Sequence, residues 1–208
     1  MKHTTSHELF QYWDRMRGAD PAPSRSDIEP SDIRRILADT FILEVAGREN
    51  YSVRLAGTRV CATHGREIKG TNFLDLFVPE DRHAVATLCA AVAEDGAASV
   101  ATLAGATGRE RPLACEMLLL PLRHGSGSLP TRYERILGSL SPFEQPYWLG
   151  AEPIVRLSVV SLRLIWPNQQ PAFMRRSSDR AEPSALIPFP TPGTRRRGHL
   201  TVFDGGKD

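Results

Sequence analysis

The apolar positions of the chain change period several times, and each change marks an element. From Ser6 to Arg17 they recur at helical spacing, with Leu9, Trp13 and Met16 on one side, Phe10 and Arg17 flanking, and Ser6 as N-cap. Gly18 and the Pro21-Ala22-Pro23 run stop this helix. Pro30-Ser31-Asp32 starts a second short helix that carries Ile33, Ile36 and Leu37 and ends near Asp39. Thr40–Val45 is rich in β-formers, Gly47–Asn50 is turn chemistry, and Tyr51–Leu55 alternates apolar and polar, which together predict a β-hairpin. From Gly57 to Phe77 the chain reads as short helical turns punctuated by Gly65 and Gly70. Pro79-Glu80-Asp81-Arg82 then opens a longer helix, with acids where the helix dipole favours them. Its core face is Val85, Leu88, Cys89 and Val92, and Gly96 is the stop. Three strands follow, Ala98–Ala104, Leu113–Leu122 and Tyr133–Leu140, separated by Gly105–Gly108 and by the His124–Pro130 loop.

Two strands, a helical insert and a three-stranded meander predict an α+β domain, a five-stranded antiparallel sheet with helices on one face. The boundaries expected are 1–39 for the N-terminal and lead-in helices, 40–142 for the core, and 143–166 for an extension. Within that extension Ile154–Ile165 is a further strand that pairs on the domain edge or with another copy. From Pro167 onward Pro, Arg, Ser and Gly dominate, and too few apolar residues remain to offset the entropy of ordering, so 167–208 is expected to be disordered.

Composition narrows the function classes. No apolar run in the 208 residues approaches the roughly 20 needed to span a bilayer. The Met1-Lys2-His3 start leads into amphipathic sequence without the apolar stretch of a secretory signal, so a cytoplasmic protein is expected. A net charge of +2 argues against a nucleic-acid partner. Cys61, Cys89 and Cys115 are odd in number and form no C-x-x-C pair, which disfavours a disulfide framework or a zinc site and predicts three buried, reduced thiols.

The element order resembles the PAS fold, and specific residues sharpen the likeness. Tyr51-Ser52-Val53-Arg54-Leu55-Ala56-Gly57-Thr58 looks like the second PAS strand entering its first short helix. Gly65 to Phe73 resembles the segment where a glycine closes one helical turn and an apolar residue opens the next, and Pro79-Glu80-Asp81-Arg82 is similar to the start of the long PAS helix. The Trp13 helix, Arg25-Ser26-Asp27-Ile28-Glu29-Pro30, Leu55-Ala56-Gly57-Thr58 with Cys61, and His64-Gly65-Arg66-Glu67 resemble a family of short stand-alone bacterial PAS proteins first catalogued as a domain of unknown function. The likeness spans about 8–142, continues loosely to about 166, and does not reach the tail. It implies a sensory module that binds a small ligand in the cup between sheet and helices, or contacts a signalling protein, and that forms homodimers. The alternative is a pure interaction or dimerisation adaptor with a filled core.

Candidate chemistry follows from these placements. The segment that would carry the reactive cysteine of a flavin photosensor, Gly70–Phe77, holds none, and Cys61 lies a helical segment too early. His83 sits two residues before Val85, about 200° around the helix from that apolar residue, and is expected in solvent rather than on a haem. Cys61 and His64 at i and i+3 make only half a zinc site. No nucleophile elbow, phosphate loop or His-Glu-x-x-His helix is present, and the acids Asp27, Glu29 and Asp32 read as helix-start chemistry, so no enzymatic activity, cofactor or metal is expected. The pocket candidates are Val53, Leu55, Val60, Phe73, Leu88, Met117, Leu119 and Leu137, without a convergent polar group among them. Leu9, Trp13 and Met16 are the candidate interaction face, covering the sheet or forming a dimer seam. Arg175-Arg176 and Arg195-Arg196-Arg197 are expected to solvate the tail, the alternative being contact with nucleic acid or anionic lipid.

Overall fold

The computed structural model describes residues 1–124 and 132–166. The expected tail, with Arg175-Arg176 and Arg195-Arg196-Arg197, and most of the His124–Pro130 loop lie outside the described residues. The elements are α1 (Thr4–Arg17), β1 (Thr40–Val45), β2 (Tyr51–Ala56), α2 (Thr58–Thr63), α3 (Arg82–Asp95), β3 (Ala98–Thr107), β4 (Pro112–Leu122), β5 (Arg135–Pro142) and β6 (Ile154–Ile165). Single 3-10 turns precede β1 and α3, and another spans Phe73–Leu76.

The strands form one antiparallel sheet in the order β2-β1-β5-β4-β3-β6. It therefore has six strands, one more than expected. The sixth is Ile154–Ile165, which pairs along β3 on the edge of its own domain. The edge at β2 is closed by the following segment, where the Val53 N–H donates to the Thr71 carbonyl and the Gly70 N–H to the Val53 carbonyl.

Apolar clusters cover both faces of the sheet. On one, α3 lays Val85, Cys89 and Val92 over Leu103, Met117 and Leu119, and the 3-10 turn of Phe73–Leu76 closes the side. Gly96 ends α3 in the left-handed conformation at φ 68°, where a side chain would be strained. The other face is covered by α1 and the 22–37 lead-in, with Leu9, Trp13, Ile33 and Ile36 packed on Leu118, Leu120 and Leu137. The sheet is thus covered on both faces: α3 and the helical insert lie on one, and α1 covers the other, the first of the two roles its Leu9, Trp13 and Met16 face offered. β4 accounts for it: Met117 and Leu119 point one way, Leu118 and Leu120 the other, and all four are at most 1% exposed. A central strand apolar on both faces requires two covers.

Two local expectations change. The N-cap of α1 is His3, whose Nδ1 accepts the Thr5 N–H at 3.1 Å, while Ser6 lies one turn further in and is fully buried. Glu116 on β4 explains the earlier start: its carboxylate accepts the amides of Lys2 at 2.6 Å and His3 at 2.9 Å. Burial pushes that carboxyl up, but the His3 and Lys2 amides together hold it below its ordinary value. The segment from Pro30 is a run of turns ending in a 3-10 turn at Leu37–Asp39, because its amides bond three residues back, as Ile36 does to Ile33 and Asp39 to Ile36. Ile33 and Ile36 are buried nonetheless.

Trp13 is completely buried and its Nε1 donates to the Pro121 carbonyl at 2.8 Å. Trp13→Ala should lower unfolding free energy by about 3–5 kcal/mol in urea denaturation. Trp13→Phe should cost about 1–3 kcal/mol, because the ring position is kept but the carbonyl is left unpaired. His64, at the C-cap of α2, is buried with an unpartnered Nε2, and burial, reinforced by Arg66, lowers its pKa from 6.5 to about 4. The unfolded chain then binds the proton more readily, so stability from this group is intact above pH 6.5 and falls toward pH 4, by about 3 kcal/mol in all. Between these limits the wild type should lose about 3 kcal/mol of stability relative to His64→Gln as pH falls, whatever their difference at neutral pH; parallel pH profiles would exclude the effect.

Candidate functional site

The interior between the sheet and α3 is the cup that the family resemblance points to, and its contents follow from strand alternation. Phe41 and Leu43 on β1, Val53 on β2, and Ile136 and Leu140 on β5 point into it together with Met117 and Leu119. At the register pair Phe41↔Gly138, the Phe41 ring lies across β5. A Cβ on Gly138 would stand 2.3 Å from Phe41 Cζ, so only glycine permits this approach. The ring stacks on Phe73 at 5.2 Å and 29°, and Phe73 meets Phe77 edge-on at 5.4 Å and 69°. Offset and edge-to-face contacts of this kind add about 0.5–1.5 kcal/mol each beyond their area. Phe41, Phe73 and Phe77 thus form an aromatic plug in the cup, and each is at most 3% exposed.

The polar groups around the plug are structural. Tyr51 donates its hydroxyl to the Ala86 carbonyl at 3.2 Å, tying β2 to α3, and burial, with Cys89 adding to it, pushes the phenol up to about 12. Burial likewise raises the Cys89 thiol and pushes Cys115 up to about 12, which keeps both protonated and unreactive. Cys61 departs from the expectation of three buried thiols, since it is only partly covered. Its Sγ donates to Glu67 Oε1 at 3.6 Å, and burial together with that carboxylate raises its pKa against one backbone hydrogen bond, the opposite of an activated thiol. Among the described residues no three His, Cys, Asp or Glu side chains converge as a metal site. His83 is exposed on the first turn of α3, turned away from the cup as its spacing indicated.

The structure brings Val53, Val60, Phe73, Met117 and Leu119 into one cluster. Leu88 is buried on α3 but stands outside it. Two candidates are misplaced. Leu55 is 42% exposed because the β1–β2 register shifts between Ile42 and Leu43, leaving Arg54 as an extra residue and turning Leu55 to the face opposite the cup. Leu137 is buried on that opposite face under α1, one residue out of phase with Ile136. Leu9 and Trp13 are wholly buried against the sheet and Met16 packs beside them, so this face covers the domain itself and is not free to form a dimer seam. The residues that sequence reasoning missed are Phe41, Phe77 and Gly138. A glycine inside a strand pattern is the signal that announces a close approach, and Phe41 is the ring that makes it.

Away from the cup, the loop after β5 exposes Phe143 at 37% and Tyr147 at 90%. One cleft of about 470 Å³ lies between this loop and Arg111–Ala114, and another of about 280 Å³ lies between the loop and α2. Arg111 donates to the Tyr147 hydroxyl at 3.0 Å and lies over its ring.

No curated protein matches the chain. Similar solved structures include a light-oxygen-voltage domain studied with a flavin analogue, 17% identical over 55% of this chain and 84% of that one, TM-score 0.43. The LOV protein of Rhodobacter sphaeroides is 16% identical over 58% of this chain and 71% of that one, TM-score 0.40. The light-state LOV domain of the blue-light photoreceptor Aureochrome1 is 18% identical over 54% and 87%, TM-score 0.41. A family model described as a PAS domain matches residues 1–141, which takes in α1, the hairpin, the helical insert and the meander. The chain belongs to the PAS domain family.

Proposed function

We propose that this chain is a cytoplasmic signalling adaptor: a PAS module that acts by contacting another protein, with its cup filled by its own side chains. The observation that carries this reading is the Phe41 ring seated on Gly138 and stacked on Phe73. In a ligand-binding cup the central volume and its floor are open to the ligand, with a few polar groups aimed at it. Here the floor is a glycine covered by a phenylalanine of the same protein. The polar groups nearby, the Tyr51 hydroxyl and the Cys89 and Cys115 thiols, are neutral and turned to structural roles.

The ligand-sensing version of the same family role is the competing reading, and the plug is what weighs against it. A flavin or haem has no place in the adaptor reading: the segment before α3 offers Phe73, Leu74 and Leu76 in place of a reactive cysteine, and His83 faces solvent. No catalytic step is assigned to the chain. Its output passes to a separate signalling protein, and the exposed Phe143 and Tyr147 give the described surface an aromatic contact region suited to one.

Two measurements test this. Purified protein should show no absorbance beyond that of its aromatic residues, and native mass spectrometry should return the bare polypeptide; a co-purifying small molecule would overturn the filled-core reading. Phe41→Ala should cost about 3–5 kcal/mol and open an apolar cavity that takes up xenon or benzene, whereas the wild type takes up neither. Equal uptake by both proteins would show that the wild-type cup is already open.

A further inference from the structure

We propose that the cleft between the loop after β5 and Arg111–Ala114 is a docking site for a proline-rich segment of another protein, bound as a polyproline II helix with an acidic residue at its Arg109 end. This rests on the adaptor reading and names the chemistry of its partner. The loop lies beyond residue 141, where the match to the family model stops, so the family pattern does not account for it. Its rings are held still. The Leu149 N–H donates to the Pro146 carbonyl, and the Ala151 and Glu152 N–H groups both donate to the Trp148 carbonyl, each at 2.9 Å. Phe143 rests against the His3 ring at 6.2 Å. Tyr147 is 90% exposed, yet Arg111 lies over its ring at 5.7 Å and donates to its hydroxyl at 3.0 Å. Glu152 Oε2 in turn anchors Arg111 at 3.7 Å. Exposed aromatic side chains that are already ordered lose little freedom on binding, which suits them as anchors.

The walls of the cleft choose among occupants. Phe143, Pro146 and Trp148 line it with Pro112 and Leu113, around a volume of about 470 Å³. That is room for about one turn of an α-helix, short of the i, i+3, i+4, i+7 anchor set by which bound helices are held. An added strand has no ladder to join: Pro112 lacks an N–H, and the Ala114 carbonyl already accepts the Phe143 N–H at 2.9 Å. A polyproline II segment needs no ladder. Its backbone makes no internal hydrogen bonds, its prolines dock among aromatic rings, and its carbonyls are free to accept. The Tyr147 hydroxyl is a suitable donor to one of them, because it accepts from Arg111 and keeps its own proton. Charge sets the direction. Arg109 and Arg111 share the single carboxylate of Glu152, at 3.4 and 3.7 Å, and the Arg109 side chain is 76% exposed. One positive charge is thus left at that end, which an acidic residue of the partner complements, while Glu144 lines the cleft and disfavours acids there.

Fluorescence anisotropy with the whole 208-residue chain tests this, the probe being a labelled oligoproline peptide with two glutamates at one end. The wild type should bind it saturably, and Tyr147→Ala about tenfold or more weakly, with unchanged circular dichroism. Leu162→Ser, at another exposed apolar position, on β6, should bind as the wild type does. Arg109→Glu should reverse the preference for the acidic peptide over one that carries lysines instead. A wild type that does not bind would overturn the proposal, whether the cleft rejects such a segment or is already taken. So would equal binding of a peptide with glycines in place of the prolines, or binding that Tyr147→Ala leaves intact. The adaptor reading is judged separately by the mass of the purified protein: a bare polypeptide that ignores the peptide leaves that reading standing and removes this site.

Discussion

The structure depends on the double burial of β4. Alternate residues of this strand feed two different apolar layers, with Met117 and Leu119 under α3 and Leu118 and Leu120 under α1. A strand with no solvent face cannot be stable with one cover, and this is why α1 and the lead-in residues are part of the folded unit. Each buried Leu or Met contributes about 1.5–3 kcal/mol relative to exposure, so leaving one face bare forfeits several such terms at once. Glu116 and Trp13 fix the position of the second cover through hydrogen bonds to the Lys2 and His3 amides and to the Pro121 carbonyl.

The same constraint redistributes the functional candidates. Because α1 is spent on covering the sheet, its aromatic face is unavailable to a partner. Phe41 lies across Gly138 inside the cup and is stacked on Phe73. What the described residues leave exposed is apolar and aromatic surface at the periphery: the loop bearing Phe143 and Tyr147, and the outer half of β6. In the proposed adaptor role these surfaces make the contacts, and the packed interior is the rigid body that holds them in place.

Much of this was legible in the sequence, and for identifiable reasons. The α3 spacing of Val85, Leu88, Cys89 and Val92 and the Gly96 stop are local signals, and the helix forms as they indicate. The hairpin and the meander were readable from alternation and turn residues. The errors arise where the information is not local. Leu55 was assigned by alternation from Val53, but an extra residue in β2 breaks that alternation, and only the pairing with β1 reveals it. Leu137 was assigned to the cup because a strand apolar on both faces gives no phase to read. Ser6 was taken for the cap because the carboxylate that organises the helix start, Glu116, lies 113 residues from His3. The plug was missed because it needs the cross-strand register of Phe41 and Gly138, although the glycine itself was a visible mark.

The central claim is that the cup is filled by the Phe41 ring lying on Gly138. Proton NMR of the native protein addresses it directly. The account predicts Overhauser contacts between the Phe41 ring and the Gly138 α-protons, with those α-protons displaced from ordinary strand shifts by the ring current. Gly138 α-protons at ordinary strand shifts, without contact to any aromatic ring, would contradict it and return the cup to a ligand.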